Sequence, residues 1–381
     1  MFLDKQIKIL VFDIDDNGTF DPIGEISQYE SLIWPDEYCG VGKFELWAPI
    51  IDENSEMLKK GHVLWCGGDN AATIEIVSSS VGDDGKKKFN VKGSTLEKLL
   101  GTRIVWGTYD GQNKHVSTMM YELVDQNCVN PSNKNRKIPF LECAADAKLG
   151  QKTSYQQTGK EVVESLDVLA ATAELGYSVL FRPKQKKLIF EVIEGVDRTA
   201  DQNVVDPVVF STDLEDILSS SYYTNGEDVK TVALVQGEDS GANRKSVISG
   251  DNNGKGLARK ELYVDARDLR SEVTDDNGNK TTLNASQYNQ VLDQRGIEKL
   301  DDHKVIETFE AQIRVFGDVQ YVYGEDYKKG DKVTVRDKQL GVVASARITA
   351  VQEEFDDEYN LVLTFGYAYP TLQQKLKKAA R

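Results

Sequence analysis

Ile7-Lys8-Ile9-Leu10-Val11-Phe12 runs into Asp15-Asp16-Asn17-Gly18, and this stretch sets the reading of the chain around it. The run is rich in apolar and β-branched side chains, which suit a pleated, half-buried surface. Asn-Gly is a strong hairpin signal because both central positions of the tight turn need positive φ. Two antiparallel strands joined by a charged turn are therefore expected. Outward from the hairpin, Tyr29 to Trp34 and Gly42-Lys43-Phe44-Glu45-Leu46-Trp47 follow, the second alternating apolar with polar residues as on one buried face. Val63 to Cys66, Ala72 to Ser78 and Lys88 to Val91 continue the pattern, the last two joined across Gly82-Asp83-Asp84-Gly85. Short strands separated by turn residues point to a barrel or sandwich. Ser94-x-x-Glu97 reads as a capping box before Leu96, Leu99 and Leu100, a helical turn closing the unit.

The middle of the chain changes period. Met120, Leu123, Val124 and Cys128 fall at helical spacing within Ser117 to Cys128, and Asn130-Pro131-Ser132-Asn133-Lys134-Asn135-Arg136 is loop chemistry. Thr158-x-x-Glu161 reads as a second capping box, opening a helix with Val162, Leu166, Leu169, Ala170 and Ala173 on one face. Gly176 is placed to end it in the left-handed conformation. Tyr177 to Phe181 and Leu188 to Ile193 then read as paired strands around Pro183-Lys184-Gln185-Lys186.

The last part returns to β. Val208-Val209-Phe210, Val229 to Val235, Val305 to Phe316, Lys332 to Arg336, Gly341 to Val351 and Tyr359 to Phe365 are strand-like. Between them lies a polar stretch with Asn253-Gly254 and Asn277-Gly278 turns and a helix near Ser286 to Leu300. The fold class expected is mainly β with an α+β insertion: two β-barrel-like domains flanking an α+β middle domain. The expected bounds are 1–110 for the first barrel, 111–203 for the middle and 204–371 for the second barrel. The second carries a polar, helical insertion at about 237–303, and 372–381 is a helical tail around Leu372-Gln373-Gln374-Lys375-Leu376. No repeat recurs at solenoid period, yet the two flanking regions suggest one barrel type used twice.

Composition narrows the function classes. The 381 residues hold 46 Lys+Arg against 62 Asp+Glu, a net charge of −16. Nucleic-acid binding rests on cations that neutralise phosphates, and the longest basic run in the body is Lys86-Lys87-Lys88. The cysteines, Cys39, Cys66, Cys128 and Cys143, are too sparse for a disulfide framework and form no Cys-x-x-Cys pair, so reduced thiols are expected. Met1-Phe2-Leu3-Asp4-Lys5 lacks a signal-peptide plan, and no apolar run has membrane-spanning length. A protein made in a cytoplasm, without a membrane segment, is expected.

Chemistry-bearing motifs are few. His62, His115 and His303 share no metal spacing and flank no nucleophile elbow. Cys66 before Gly67-Gly68 reads as a strand-end thiol with nothing nearby to lower its pKa. The sharpest metal candidate is Asp13-x-Asp15-x-Asn17-Gly18, the first half of a calcium loop. Its twelfth position is Gly24, with Glu25 one place off, so a charged hairpin is the preferred reading. Asp251-Asn252-Asn253-Gly254 and Asp275-Asp276-Asn277-Gly278 read as turns in the same way. Gly237-x-x-x-Gly241 and Gly254-Lys255-Gly256 lack phosphate-loop spacing. No catalytic, cofactor or metal residue is assigned. A hydrolase needing only two carboxylates stays open, as does a carbohydrate-binding module with Trp34, Trp47, Trp65 and Trp106 as stacking surfaces, although core filling is expected of these rings.

One segment carries a family resemblance. Gly324-Glu325-Asp326-Tyr327-Lys328-Lys329-Gly330-Asp331-Lys332-Val333-Thr334-Val335, with Asp-Tyr-x-x-Gly-Asp-x-Val before a strand, resembles a signature of phage tail hub (tail-tip) proteins of siphoviruses and prophages of Gram-positive hosts. Tyr29 to Trp34, Gly42-x-Phe44-Glu45-Leu46, Ile74-Glu75-Ile76-Val77, Gly195-Val196-Asp197-Arg198, Val208-Val209-Phe210-Ser211 and Thr364-Phe365-Gly366 fit the same family in order. The resemblance implies two related barrels and a homotrimer whose barrels form a near-sixfold ring. It also implies docking to a distal tail or tail tube protein, contact with a tape measure protein, and a tube closed until DNA passes without specific binding. Receptor-binding or lysin subunits are further implied partners, in a virion tail tip assembled from protein made in the host bacterium. Asp326, Tyr327, Gly330, Asp331, Asp197 and Arg198 carry the motif. Their chemistry is structural: Gly330 permits positive φ and Asp331 bonds neighbouring backbone.

Overall fold

The opening hairpin forms as predicted: β1 (Ile9–Ile14) and β2 (Phe20–Ile26) pair antiparallel, with Ile14 opposite Phe20. The computed structural model describes residues 7–15, 18–81, 85–274, 280–317, 319–337 and 342–366. Asn17, the Gly82-Asp83-Asp84 turn, the Asn277-Gly278 turn and the expected helix at 372–381 lie outside them. The first β unit continues through β3 (Ser31–Glu37), β4 (Lys43–Pro49), α1 (Asp52–Met57), β5 (Val63–Trp65), β6 (Ala71–Val81) and β7 (Lys87–Thr95). In β4, Phe44, Leu46 and Ala48 are buried while Lys43 is exposed, as alternation requires.

The middle unit holds β8 (Thr108–His115), α2 (Val116–Val124), β9 (Leu141–Cys143), β10 (Lys152–Thr158), α3 (Val162–Ala173), β11 (Gly176–Arg182) and β12 (Lys187–Ile193). The predicted helix through Cys128 is present, but its last turn, Asp125–Val129, widens so that Asn130 N–H reaches Asp125 O at 2.7 Å. The apolar face of α3 is buried, Leu166, Leu169 and Ala170 completely. A fully buried leucine contributes about 1.5–3 kcal/mol.

Three details of the helix ends differ from expectation. Thr158 lies in β10 and bonds Thr108, so it does not cap α3, whose N-cap is Glu161 without a side-chain bond. Ser94 lies in β7 and bonds Lys43, while Leu96–Thr102 still forms the predicted closing turn as a 3-10 helix. Glu174 rather than Gly176 takes the left-handed position after α3, with φ +52°. In each case strand pairing absorbs the residue that local sequence assigns to a cap. A capping box does form where none was read, at Asn284 and Gln287 on α4 (Ala285–Asp301).

The last part begins with β13 (Val209–Ser211) and β14 (Ile217–Asn225). The insertion follows: β15 (Val232–Gln236), β16 (Ser246–Gly250), β17 (Glu261–Asp265), β18 (Glu272–Thr274), β19 (Lys280–Thr282) and α4. It has its own core of Ala233, Val235, Val264, Leu269, Val291 and Leu292. The chain then resumes as β20 (Ile306–Ile313), β21 (Lys332–Asp337), β22 (Val342–Phe355) and β23 (Tyr359–Gly366). Because β14 and β20 pair directly, the insertion sits at the tip of a hairpin. It rests on the middle unit through Gln294 to Thr153, Gln290 to Ser154 and Arg270 N–H to Gln156.

The protein is mainly β, as read. Among the described residues, however, no closed barrel is found. Both β-rich regions join one sheet with the order β14-β20-β23-β22-β3-β4-β7-β6-β5-β1-β2, and β21 and β13 branch from β22. The link is β22 against β3, from Ala350 opposite Glu37 to Phe355 opposite Leu32. One hydrophobic cluster accordingly runs from Ile9 and Val11 to Leu363 and Phe365. Alternation reports which face of a strand is buried; it does not report whether the last strand meets the first.

Candidate functional site

The motif residues of the two distant segments come together at the start of β21. Gly330 turns the chain at φ +88°, and its N–H donates to Ile348 O at 2.8 Å. Asp331 follows, buried to 4% exposure. Its Oδ1 accepts from Val196 N at 2.8 Å; Oδ2 accepts from Arg198 Nε at 3.0 Å and from Lys328 N at 3.1 Å. Backbone bonds lock the same contact: Lys332 N to Val196 O at 2.9 Å and Arg198 N to Lys332 O at 2.7 Å. Gly195 admits the approach, since a Cβ there would stand 1.7 Å from Gly330 O. Asp197 accepts from Thr199 N at 3.0 Å, which holds its carboxyl below the usual range. Tyr327 is buried with its ring 5.1 Å from that of Phe210. Asp326 caps its own turn through Val322 N at 2.7 Å.

Tyr38, just beyond β3, is the second element of this junction. Its hydroxyl lies 3.0 Å from Glu174 O and 3.2 Å from Ile193 O, and it accepts from Gly195 N at 3.4 Å. A Cβ on Gly176 or Gly330 would stand 2.4 Å from the Tyr38 ring, so both glycines serve close packing. Arg347 covers the ring at 5.3 Å from its centroid, and its Nη1 donates to Gly330 O at 2.5 Å. Glu174 takes Arg347 Nη2 at 3.2 Å and Lys332 Nζ at 2.8 Å, and the Lys332 bond foremost holds its carboxyl low.

Beside it, Lys329 Nζ bonds Asp36, Glu37 O at 3.1 Å and Ser178 Oγ at 2.9 Å. Tyr323 donates to Asp36 at 3.1 Å. Burial, then the Asp36 charge, pushes the Glu37 carboxyl up to about 7 against the pull of Lys329. Burial also raises Glu97, whose carboxylate accepts from Val179 N at 2.7 Å. The arrangement joins the first β unit, the middle unit and the second β region at one point. Its charges pair across units, Asp331 with Arg198, Lys329 with Asp36 and Lys332 with Glu174.

The other candidates lie apart. Asp15 accepts Thr19 N–H at 2.9 Å within the hairpin; Asp13 is in β1, and Asn17 lies outside the described residues. Among the described residues no cluster of His, Cys, Asp or Glu is arranged for a metal. His62 Nδ1 faces Met57 O, His115 Nδ1 faces Gly150 O, and His303 Nδ1 faces Asp228, all in different places. Burial raises the Cys66 thiol well above its usual value. Trp34 fills the core, but Trp106 is 61% exposed with Arg136 over its ring. A cavity of about 540 Å³ is lined by Glu238, Asp239, Asp265, Arg267, Asp268 and Arg270, where Arg267 pairs with Asp265 and Arg295 with Asp268. Tyr38, Glu174 and Arg347 escaped sequence reading. Tyr38 follows a recognised strand closely, but nothing local marks its partner, the Glu174 carbonyl.

The sequence matches the family described as Siphovirus ReqiPepy6 Gp37-like protein over residues 9–367. The chain belongs to this family. The match spans the Gp37-like chain from the opening hairpin to the last strand, so every junction residue named above falls inside it. No curated protein sequence matches. Solved structures share the fold at low identity, three tail proteins among them. The tail protein from Neisseria meningitidis MC58 has 13% identity and a TM-score of 0.53, covering 94% of this chain and 96% of that one. The 43 kDa tail protein of prophage MuSo2 from Shewanella oneidensis has 13% identity and a TM-score of 0.53, covering 94% and 98%. Prophage tail protein gp18 from Listeria monocytogenes EGD-e has 12% identity and a TM-score of 0.51, covering 98% of both. At this identity the likeness concerns fold. Among the described residues, no helix is long and apolar enough to cross a membrane.

Proposed function

We propose that this Gp37-like chain is a non-catalytic hub of a phage tail tip, a virion component that assembles as a homotrimeric ring. The ring closes the tail tube, docks on a distal tail or tube protein, touches the tape measure protein and opens for DNA. The observation that carries the reading is the near-complete coverage, in both directions, of tail proteins by this fold. Two features support it. The net charge of −16 disfavours sticking of a passing polyanion. The junction around Asp331, Arg198 and Tyr38 ties the two β-rich regions to the middle unit, which suits a ring segment that transmits load. The domain division in this reading is a first β unit at 1–110, a middle unit at 111–203 and a second β unit at 204–371. Mass photometry of the purified chain, followed by low-resolution electron microscopy, tests it. A threefold ring with a central opening is expected; a stable monomer at micromolar concentration, alone and with a tube protein, overturns it.

A further inference from the structure

The two β-rich regions repeat one turn and one strand order. Lys59-Lys60-Gly61-His62 and Lys328-Lys329-Gly330-Asp331 both turn on a glycine of positive φ, +93° and +88°. In the first, Gly61 N bonds Ile74 O, His62 N bonds Lys59 O, and Ile74 N bonds His62 O. In the second, Gly330 N bonds Ile348 O, Asp331 N bonds Lys328 O, and Ile348 N bonds Asp331 O. The following strand carries a bulge at the matching place, between Ile74 and Ile76 and between Ile348 and Ala350. The order β3-β4-β7-β6-β5 matches β14-β20-β23-β22-β21 strand for strand. The next strand breaks the symmetry: β1 lies antiparallel to β5, whereas β13 lies parallel to β21. Following the registers, Phe44-Glu45 corresponds to Phe309-Glu310, and Trp34 to Tyr222.

Within the chain, the second unit uses the far half of β22 to pair with β3 of the first. The equivalent edge of the first unit is Ile76–Val81 of β6, and the equivalent of β3 in the second unit is β14. Among the described residues, no strand pairs with the outer edge of either. Ile76, Val81, Leu218 and Tyr222 are exposed at 56%, 64%, 52% and 42%. Neither Ile76-Val77-Ser78-Ser79-Ser80-Val81 nor Ile217-Leu218-Ser219-Ser220-Ser221-Tyr222-Tyr223-Thr224-Asn225 contains a charge or a proline. Edges left open to solvent are usually blunted by such residues. The β2 edge is blunted in this way, with Asp21, Pro22 and Glu25.

We infer that β6 of one copy pairs antiparallel with β14 of a second copy, repeating between chains the β22–β3 joint made within each chain. Transferring the register places Ile76 opposite Asn225, Ser79 opposite Tyr222 and Val81 opposite Ser220 of the neighbour. The contact is head-to-tail, so successive copies alternate first and second units and form a ring when the rotation closes. This deepens the hub reading and rests on it for the closure at three copies.

The test joins S79C with Y222C in one chain, with each single variant and the S79C/I23C pair as controls. Oxidation is expected to give covalent oligomers from S79C/Y222C alone. Separately, S79K/S221K is expected to reduce the ring to monomers while circular dichroism stays unchanged. The mass of the unmodified chain is read first and judges the hub reading by itself. If that chain forms a ring, yet S79C/Y222C fails to cross-link and S79K/S221K still assembles, the strand pairing is overturned and the hub reading stands. If the unmodified chain is monomeric and S79C/Y222C stays uncross-linked at high concentration, both are overturned.

Discussion

The turns at Gly61 and Gly330 share one backbone and do different work. At the first, His62 closes a local bond to Met57 O at 2.7 Å, and nothing stands within 4 Å of a Cβ on Gly61. At the second, Asp331 gathers Val196, Arg198 and Lys328, and Tyr38 packs on Gly330. A repeated scaffold thus becomes a joint through a single carboxylate and the neighbours that reach it. The backbone of a turn is set locally; its role is set by what is brought alongside.

The sharpest way to break this contrast is paired substitution. D331A strands two backbone N–H groups and a partly buried guanidinium, and removing one partner of a buried pair costs about 3–5 kcal/mol. H62A at the equivalent position loses one bond, about 1 kcal/mol. Urea unfolding of the two variants measures the difference, and equal losses remove the idea of a joint. G330A combines left-handed strain of about 1–2 kcal/mol with overpacking of about 1–3 kcal/mol against Tyr38. G61A carries the strain alone, so its shift in thermal midpoint is expected to be the smaller of the two.

The pH dependence of the joint gives a finer test. The Glu37 carboxyl is raised by burial from 4.5 to about 7, so between these values the folded state holds a proton that the unfolded state has lost. Its contribution to stability is complete below about pH 4.5 and falls as pH rises to about 7. E37Q is therefore expected to flatten the decline in stability between pH 5 and pH 8, with the largest gain over the parent at pH 8. An unchanged pH profile removes Glu37 from the joint. The most local effect is expected from Y38F, which keeps the ring packing and loses hydroxyl bonds worth about 1 kcal/mol each. Amide exchange at Gly195, whose N–H donates to that hydroxyl, reports it directly.

Much of the architecture was legible from local pattern. The pairing of β1 with β2, the alternation in Lys43–Pro49 and the apolar stripe of Val162–Ala173 each follow the local pattern. Capping boxes misled at Ser94 and Thr158 because both residues belong to strands, where the ladder outcompetes a cap. At Gly176 the missing Cβ makes room for Tyr38, and the left-handed turn that its position after the helix suggests falls on Glu174. The repeat was nearly visible in Lys59-Lys60-Gly61 and Lys328-Lys329-Gly330, but three residues are too few to stand out without their bonds.

By itself, the sequence determined most strands of the first β unit, the helix at Val162–Ala173 and the net acidity, because propensity, period and charge act over a few neighbouring positions. Strands such as Thr108–His115, Lys152–Thr158 and Ile217–Asn225, polar or serine-rich, carry no such local mark. Only the tertiary structure decided that Asp331 meets Arg198, that Tyr38 lies between Glu174 and Gly330, and that β22 continues into β3. Those contacts join residues more than a hundred positions apart. Their energy is returned only when distant chain segments close on one another, and one-dimensional pattern carries no record of that closure.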